Sequence, residues 1–300
     1  MLTIYRSNRA EWLARIVSEE LKATPPVISE KVEILVSTWP TSRWLGDQLA
    51  LVNGINGQVN FPFPGNYLRE LVGQILGEEV NKEDPWKASN LVWPLLNLIP
   101  KITEKKEGAS LKEWIESRPS QSNVINKDIW QLACSIAKAF DDYILYRPDL
   151  TKKWCKSSNE EFNSLVKDLP SKLQWQPSLF RLLSKVIKNE PFSIDVERAI
   201  DLLRDNKSAL TTYSKELRLF GISNLAPLHI NLIQAISGEV DVKVYLLTPC
   251  LDLWHRHKKR RTDLGKEWER IPDGSWLLNS TRLEASLGRM GAEFQQLLEG

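Results

Sequence analysis

The sequence has few cysteines, no long apolar run and no strong excess of charge of either sign. Its three cysteines, Cys134, Cys155 and Cys250, are widely spaced, which argues against a disulfide framework or a structural zinc site and predicts three buried thiols. No apolar run approaches the roughly 20 residues that a membrane-spanning helix needs. Arg6 and Arg9 lie where a signal peptide would be apolar. The sequence therefore predicts a soluble, cytoplasmic protein.

The charge balance excludes a chain that coats nucleic acid through bulk charge. Lys and Arg number 40 against 38 Asp and Glu, a formal net charge of +2, so any contact with a polyanion must be local. With 42% hydrophobic and 26% charged residues among 300, the composition is that of a folded protein of one or two domains. The 12 tryptophans are an unusual number, and we expect most of them to fill the core.

The sequence lacks the motifs that hold a nucleotide. The turn after the predicted first strand, residues 6–9, contains no glycine, although a phosphate loop needs glycine there so that backbone N–H groups can wrap the phosphates. The Gly265-Lys266 pair has Arg260 five positions before it, where a Walker loop has glycine. The strand that leads to Thr248 has no acidic residue at its tip to hold magnesium. We therefore expect no nucleotide hydrolysis by this chain.

No catalytic or metal-binding constellation is evident either. Neither G-x-S-x-G nor H-E-x-x-H occurs, and His229, His255 and His257 have no neighbouring thiol or carboxylate that would complete a metal site. Asp141 and Asp142 are adjacent, so on a helix their side chains point about 100° apart and do not chelate together. We expect one of them to be solvated and the other to cap a helix or form a salt bridge.

Apolar periodicity predicts an α/β plan at the start of the chain. Strands are predicted at 2–5 and 33–37, and helices at 12–21 and 44–52. This alternation of strand and helix indicates a parallel sheet. The first helical stripe begins at Trp12. Ser7 or Asn8 can cap this helix, and Asn8 with Glu11 has the spacing of a capping box. Pro62 and Pro64 then exclude a central strand.

The middle of the chain has a helical pattern, and the α/β rhythm returns after it. Helices are predicted at 68–76, 91–99, 129–145, 160–169, 179–187, 228–236 and 283–298, and strands at 217–222 and 242–247. Ser158 and Glu161 form a second capping box, and Arg147-Pro148 ends the third of these helices. We predict an α/β domain of residues 1–80 with 212–300, interrupted by a helical domain of residues 81–211. The final apolar stripe, which includes Met290 and Leu297, has no C-cap, so we expect an amino-terminal fragment.

Two groups of residues combine cations with aromatic rings. Trp39, Arg43 and Trp44 lie near the tip of the second strand and offer the mixture that holds single strands by stacking and charge, with one of the two tryptophans expected in the core. A run beside Trp254 is either a solvated loop or a phosphate-contact patch; its permanent cations are Arg256, Lys258, Lys259, Arg260 and Arg261.

Seven short signatures in order along the chain resemble the amino-terminal region of the RecC family, the gamma chains of exonuclease V (the RecBCD helicase-nuclease). They are Ile4-Tyr5-Arg6-Ser7-Asn8-Arg9, Ile34-Leu35-Val36 leading to Trp44-Leu45, Asn60-Phe61-Pro62-Phe63-Pro64, Phe140-Asp141-Asp142-Tyr143-Ile144-Leu145-Tyr146-Arg147-Pro148-Asp149, Trp175-Gln176, Phe220-Gly221-Ile222-Ser223-Asn224-Leu225-Ala226-Pro227 and Thr248-Pro249-Cys250. Each is short, but their order covers nearly the whole chain.

The resemblance implies a superfamily 1 helicase-like fold, with a RecA-like parallel sheet that has lost its nucleotide-binding motifs and is interrupted by a helical domain. It implies that RecB-like and RecD-like partner subunits carry the motors, the nuclease, ATP and magnesium. The RecC chain splits double-stranded DNA ends, guides the strands and inspects the 3′ single strand for the Chi signal. By motif position, the resemblance assigns single-strand contact to Phe63, Asp141 and Arg147, with Arg43 and Trp39 as further candidates.

This sequence departs from familiar members of that family at the candidate site. It has Trp39, Pro40 and Arg43 where they carry small amide and hydroxyl side chains, and Arg69 where an aromatic residue is familiar, so the base sequence that it would recognise is open. From its residues, Arg147 could equally cap the preceding helix. Two other functions remain: a nucleotide-hydrolysing nuclease subunit, which would need a glycine-rich lysine loop, and a helical adapter that binds only protein.

Overall fold

The computed structural model describes residues 1–26, 31–77, 84–117, 127–205, 216–248 and 282–299. It divides the chain into two compact units, which we call the α/β unit (Met1–Leu71 with Leu202–Gly300) and the helical unit (Val72–Asp201). Within the described ranges, no helix is long and apolar enough to cross a membrane.

The α/β unit contains a five-stranded parallel sheet. The strands are β1 (Leu2–Ser7), β2 (Val32–Val36), β3 (Val59–Asn60), β4 (Glu216–Phe220) and β5 (Asp241–Leu247), and their order across the sheet is β1-β5-β4-β2-β3. Every pair of neighbouring strands is parallel, which confirms the predicted α/β class and the return of the sheet late in the chain. The two-residue strand β3 was not predicted.

Twelve α-helices occur in the described residues. They are α1 (Ala10–Ala23), α2 (Trp39–Asn53), α3 (Pro64–Leu76), α4 (Ala88–Thr103), α5 (Ala109–Glu116), α6 (Lys127–Tyr146), α7 (Pro148–Lys156), α8 (Asn159–Asp168), α9 (Trp175–Val186), α10 (Phe192–Asp205), α11 (Pro227–Ile236) and α12 (Arg282–Glu299).

Helices α1 and α2 pack on one face of the sheet. Both belong to crossovers that run in the same direction across the sheet, from β1 to β2 and from β2 to β3, and right-handed connections place such helices on the same side. Their shared core consists of Leu13, Ala14, Val17, Leu21, Ile34, Val36, Leu45, Leu49, Phe220 and Tyr245. The crossover from β4 to β5 runs in the opposite direction, so the same rule places α11 on the other face.

The start of α1 differs from the prediction. Trp12 is 50% exposed because Leu13, Ala14 and Val17, not Trp12, are the residues that α1 buries against the sheet. The N-cap is Arg9 and has no side-chain cap, so the predicted Asn8 capping box is wrong. The Ser7 hydroxyl instead accepts a hydrogen bond from the Arg9 N–H, 3.0 Å away.

The stripe predicted for the last helix is also only partly buried. Phe294 and Leu298 of α12 are buried, whereas Met290 and Leu297 are exposed. Gln295, a polar residue outside the predicted apolar stripe, is buried. The buried face of α12 is therefore rotated relative to the predicted one.

The described part of the helical unit is built from α-helices and two short 3₁₀ turns at Lys106–Gly108 and Ser171–Leu173. Helix α6 ends at Tyr146, before Arg147-Pro148 as predicted, and the Ser158–Glu161 capping box at the start of α8 is confirmed. Helices α5, α7 and α10 were not predicted. An aromatic core joins α6, α7, α9 and the segment before α4, and its centre is Phe180, which has no exposed surface.

The cysteines and tryptophans are less buried than the composition indicated. Cys134 and Cys155 are free and only partly buried, and burial raises the pKa of the Cys155 thiol to about 11; Cys250 lies outside the described residues. Among the nine described tryptophans, only Trp86 and Trp154 are buried. The expectation that most tryptophans fill the core is therefore wrong for the part of the chain that the structure covers.

Candidate nucleic-acid interface

The carboxyl ends of the five parallel strands meet at one edge of the sheet. The segments that follow β2, β3 and β4 therefore lie along that edge: residues 37–38, 61–63 and 221–226. Ligands of open parallel sheets bind outside this edge, because the loops there are free to vary while the strands fix their positions. This edge is therefore the first candidate for a functional site.

The first turn of α2 displays a large aromatic ring at this edge. Thr38 is the N-cap, and its hydroxyl oxygen accepts from the Thr41 N–H at 3.3 Å, while the Ser42 hydroxyl donates to the Trp39 carbonyl oxygen at 2.7 Å. These local bonds fix the turn without using the indole of Trp39, which is 68% exposed. Trp44 instead is partly buried and packs against the core, as expected for one of the two tryptophans.

Trp39 and Arg43 line a groove with a volume of about 660 Å³. Ser42, Asn56 and Phe61 also line it, and the Asn56 side-chain amide donates to the Gly46 carbonyl oxygen at 3.3 Å. The groove thus combines an indole, a guanidinium and small polar groups, the set that holds an unpaired base and its phosphate. Asp47 is its one described carboxylate. The sequence did not indicate Ser42 or Asn56. Phe61 belongs to one of the family signatures, but the strand contact in that segment was assigned to Phe63.

The 61–63 segment is anchored to the sheet by backbone hydrogen bonds. The Val36 N–H donates to the Pro62 carbonyl oxygen at 3.2 Å, and the Tyr67 N–H donates to that of Phe63 at 3.1 Å. Pro64 opens α3, where a missing N–H costs nothing. Phe63 is consequently held 41% exposed, on the segment that follows β3 at the edge shared with Trp39.

Three backbone donors at this edge, the N–H groups of Arg9, Thr41 and Gly221, are already used. The Arg9 N–H donates to Ser7, and the Thr41 N–H donates to Thr38. Gly221, after β4, has a φ of 63°, which only glycine adopts readily, but its N–H donates to the Tyr245 carbonyl oxygen at 2.9 Å. Among the described residues, this edge therefore has the aromatic and cationic groups of a strand-binding surface rather than the open glycine loop of a nucleotide site.

In the helical unit, Asp141 supports a neighbouring helix. Its Oδ2 accepts from the N–H of Ala88, the first residue of α4, at 3.1 Å, and the N-cap Lys87 provides no side-chain bond there. Asp142 is exposed. This confirms the expectation of one capping and one solvated acid.

Arg147 lies at the junction of α6 and α7 with its side chain exposed. Its backbone N–H donates to the Tyr143 carbonyl oxygen at 2.8 Å, and the described contacts include no side-chain bond from Arg147 to the end of α6. Tyr146 beside it is 48% exposed. A cation and an aromatic ring are thus displayed together at this junction.

The predicted site residues therefore fall into two groups. Trp39, Arg43 and Phe63 lie at one edge of the α/β unit, and Asp141 and Arg147 lie in the helical unit. The cationic run from Arg256 to Arg261 is outside the described residues. No group of three or more His, Cys, Asp or Glu that could hold a metal ion occurs in the part of the chain that the structure describes.

The two roles open to Asp141 can be separated by substitution. Asp141→Ala leaves the Ala88 N–H without its acceptor and is expected to cost about 1 kcal/mol of unfolding free energy, whereas Asp141→Asn retains a carbonyl oxygen and is expected to cost about half as much or less. Urea denaturation measures both, with Asp142→Asn as the control. Equal stability of the alanine variant and the wild type would contradict the capping role.

The chain is similar to proteins of one family along its length. The model of the family described as RecC, N-terminal domain, matches residues 2–300. The chain is 28% identical over 272 residues to the RecBCD enzyme subunit RecC of Haemophilus influenzae. The aligned residues cover 85% of this chain and 24% of that protein.

Two other relatives with the same name match similarly. The Escherichia coli protein is 25% identical over 262 residues, which are 85% of this chain and 22% of the relative. The Mycolicibacterium smegmatis protein is 27% identical over 303 residues, which are 99% of this chain and 25% of the relative. The chain thus spans about a quarter of the length of the curated relatives that it matches.

Proposed function

Because the chain belongs to the family of RecC N-terminal domains, we propose that it is the DNA-engaging, noncatalytic part of a RecBCD-type helicase-nuclease subunit that acts in recombinational repair of double-strand breaks. Its task is to separate and guide DNA strands that other subunits move. The relatives named RecBCD enzyme subunit RecC support this role.

One observation carries the proposal: the carboxyl edge of the parallel sheet has an exposed indole, a phenyl ring and a guanidinium. The N–H groups of Arg9, Thr41 and Gly221 at this edge are used internally. Trp39 and Phe63 are 68% and 41% exposed, and Arg43 lines the groove beside Trp39. Base stacking on aromatic rings, combined with cations along the backbone, is how proteins hold single strands. A motor protein would use the same edge to grip a triphosphate.

The helical unit contains a second group of proposed DNA contacts. Arg147 supplies an exposed cation beside Tyr146, suited to a phosphate or a guanine edge, and Asp141 supplies a carboxylate that can accept from a cytosine amino group. Inspection of the 3′-ended strand for Chi would use these residues with Phe63. The cations from Arg256 to Arg261 would track phosphates.

The proposal assigns a different domain type to each part of the chain. In this proposal, residues 1–80 with 212–300 form a helicase-like domain that no longer binds nucleotide, and residues 81–211 form a helical insertion domain. RecB-like and RecD-like subunits would be the partners and would supply ATP and magnesium chemistry.

Strand binding is tested with the full chain and a fluorescent oligothymidylate by anisotropy. We expect binding to weaken steeply between about 50 and 200 mM salt, because each phosphate contact releases counterions. Trp39→Leu is expected to lower the affinity roughly 5- to 100-fold through lost stacking. Arg43→Gln and Arg147→Gln are each expected to reduce the salt slope by about 1.

Lys167→Gln, an exposed cation of α8, is the charge-matched control and should leave the salt slope unchanged. Wild-type affinity in all three site variants would contradict the assigned contacts. Failure of the chain to bind any oligonucleotide at low salt, while partner subunits still copurify, would favour the protein-only adapter. ATP hydrolysis by the purified chain would favour an enzyme.

A further inference from the structure

A second tryptophan-centred cation cluster lies on the outer face of α1. Trp12 is 50% exposed, and two guanidinium groups flank its ring: the Cζ of Arg9 lies 6.0 Å from the ring centroid, and the Cζ of Arg15 lies 5.9 Å from it. We call Arg9, Trp12 and Arg15 the α1 cluster. The groove beside Trp39 contains none of these three residues.

The α1 cluster is not needed to hold the fold together. Helix α1 packs through Leu13, Val17 and Leu21, on the side of the helix away from Trp12. At about 6 Å, the cation–π contacts are at the outer limit of the attractive range, so they hold the ring loosely. A half-exposed tryptophan that contributes so little packing is available for another contact.

The two cations of the cluster are open to a ligand. Arg9 and Arg15 are exposed, and no ion pair joins either of them to a carboxylate within the described residues, although Glu11 and Glu19 lie on the same helix and are also exposed. Two permanent cations beside an aromatic ring match a planar base with a phosphate on each side. A duplex keeps its bases stacked inside, so this chemistry selects an unpaired strand.

The topology places this cluster at the same edge as the groove. Helix α1 begins directly after β1 and α2 directly after β2, and because the strands are parallel, both helices start at the carboxyl edge. The two helices pack together on one face of the sheet, where neighbouring axes lie about 8–10 Å apart. Their first turns, with Trp12 and Trp39, thus lie at the same edge, with the ends of β5 and β4 between the strands that they follow.

We infer that the α1 cluster is a second single-strand DNA contact, in which a base stacks on Trp12 and Arg9 and Arg15 hold the adjacent phosphates. The inference rests on the proposed function and extends it, since it adds a contact on α1 that the family signatures do not assign. The strand passes over the starts of both helices and engages one indole on each.

The test compares oligothymidylate affinity of the full chain with Trp12→Leu, Trp12→Phe and the double variant Arg9→Gln/Arg15→Gln. Leucine removes the π face and phenylalanine retains one, so we expect Trp12→Leu to bind roughly 5- to 100-fold more weakly and Trp12→Phe to recover most of the affinity. The double arginine variant should lower the salt slope by about 2. Trp93→Leu, which replaces a 58% exposed tryptophan of the helical unit, is the matched control and should bind like the wild type.

The outcomes separate this inference from the proposed function. If Trp39→Leu weakens binding and the α1 variants do not, the cluster is not a strand contact while the proposed function stands. If the wild-type chain binds no oligonucleotide, both fail. If Trp12→Leu prevents copurification of partner subunits but leaves the oligonucleotide affinity unchanged, the cluster contacts protein and the inference is wrong.

Discussion

Replacing Phe180 with alanine is expected to destabilise the helical unit by about 3–5 kcal/mol. Phe180 has no exposed surface and contacts three other rings, with centroid distances of 5.1 Å to Trp86, 5.1 Å to Phe140 and 5.4 Å to Trp154. These rings come from α6, α7 and the segment before α4. The substitution therefore leaves a cavity where several elements of the unit meet, and close-packed rings relax little to fill it.

The part of the protein that loses stability distinguishes a cavity at Phe180 from a general destabilisation of the whole chain. Hydrogen exchange should accelerate in peptides from α4, α6 and α9 before it accelerates in the sheet, because locally packed units open separately. Val186→Ala, in the last turn of α9 and 56% exposed, is the control and should change stability by less than about 0.5 kcal/mol. Similar destabilisation by both substitutions would contradict the central role of Phe180.

The strands could be predicted from the sequence because they are buried on both faces. Runs such as Ile34-Leu35-Val36, fully buried in the sheet, have a continuous apolar pattern that only a covered parallel strand requires. The two-residue strand β3 has no such pattern, since it pairs with β2 alone at the edge of the sheet. A pairing of that kind depends on where β2 lies, which local sequence does not specify.

Helix faces were harder to predict than helices. Trp12 has the spacing of the apolar stripe in α1, yet it is exposed because the sheet contacts Leu13 and Val17. Because an apolar stripe has only about three to four residues per two turns of helix, the sequence leaves its edges undetermined, and a large aromatic residue at the edge fits either environment. The same ambiguity explains why Met290 and Leu297 were predicted on the buried face of α12 although both are exposed.

The candidate site was predictable by residue type but not by geometry. The position where α2 begins exposes Trp39 and packs Trp44 against the core, and that start is fixed by the Thr38 cap. The role of Asp141 depends on the approach of α4 to α6, a tertiary contact between residues 53 positions apart. The position of Asp141 in a family signature suggests a carboxylate that contacts DNA. Only the packing of α4 against α6 shows that its Oδ2 already accepts a hydrogen bond from Ala88.

The polar network beneath α1 gives the second large expected effect. Glu20 accepts hydrogen bonds from the hydroxyls of Tyr5 at 2.8 Å and Tyr245 at 2.7 Å, and from the Lys243 ammonium at 3.1 Å. The two tyrosine rings stack with centroids 5.1 Å apart. One carboxylate from α1 thus joins the edge strand β1 to β5, and Glu216 and Arg218 extend the network to β4.

Glu20→Gln is expected to lower the free energy of unfolding by about 2–3 kcal/mol at neutral pH. The amide keeps the shape and one acceptor, but it loses the charge that three donors share, and the partly buried Lys243 then lacks its nearer counter-ion. Urea denaturation followed by circular dichroism measures the difference. Glu19→Gln, at the exposed neighbouring position, is the matched control and should be within about 0.5 kcal/mol of the wild type.

The pH dependence identifies the charge as the cause. Burial alone would raise the pKa of Glu20, but the hydrogen bonds from Tyr245, Tyr5 and Lys243 outweigh it and hold that pKa below the ordinary value of 4.5. A carboxyl group whose pKa is lower in the folded than in the unfolded state adds stability above the unfolded pKa and loses it as the pH falls through the folded one. The gap between wild type and Glu20→Gln should therefore be full above about pH 5 and shrink as the pH falls below 4.5. If the difference in stability stays constant down to low pH, the loss comes from packing. In that case, protonated Glu20 would differ from the glutamine of the variant as much as ionised Glu20 does.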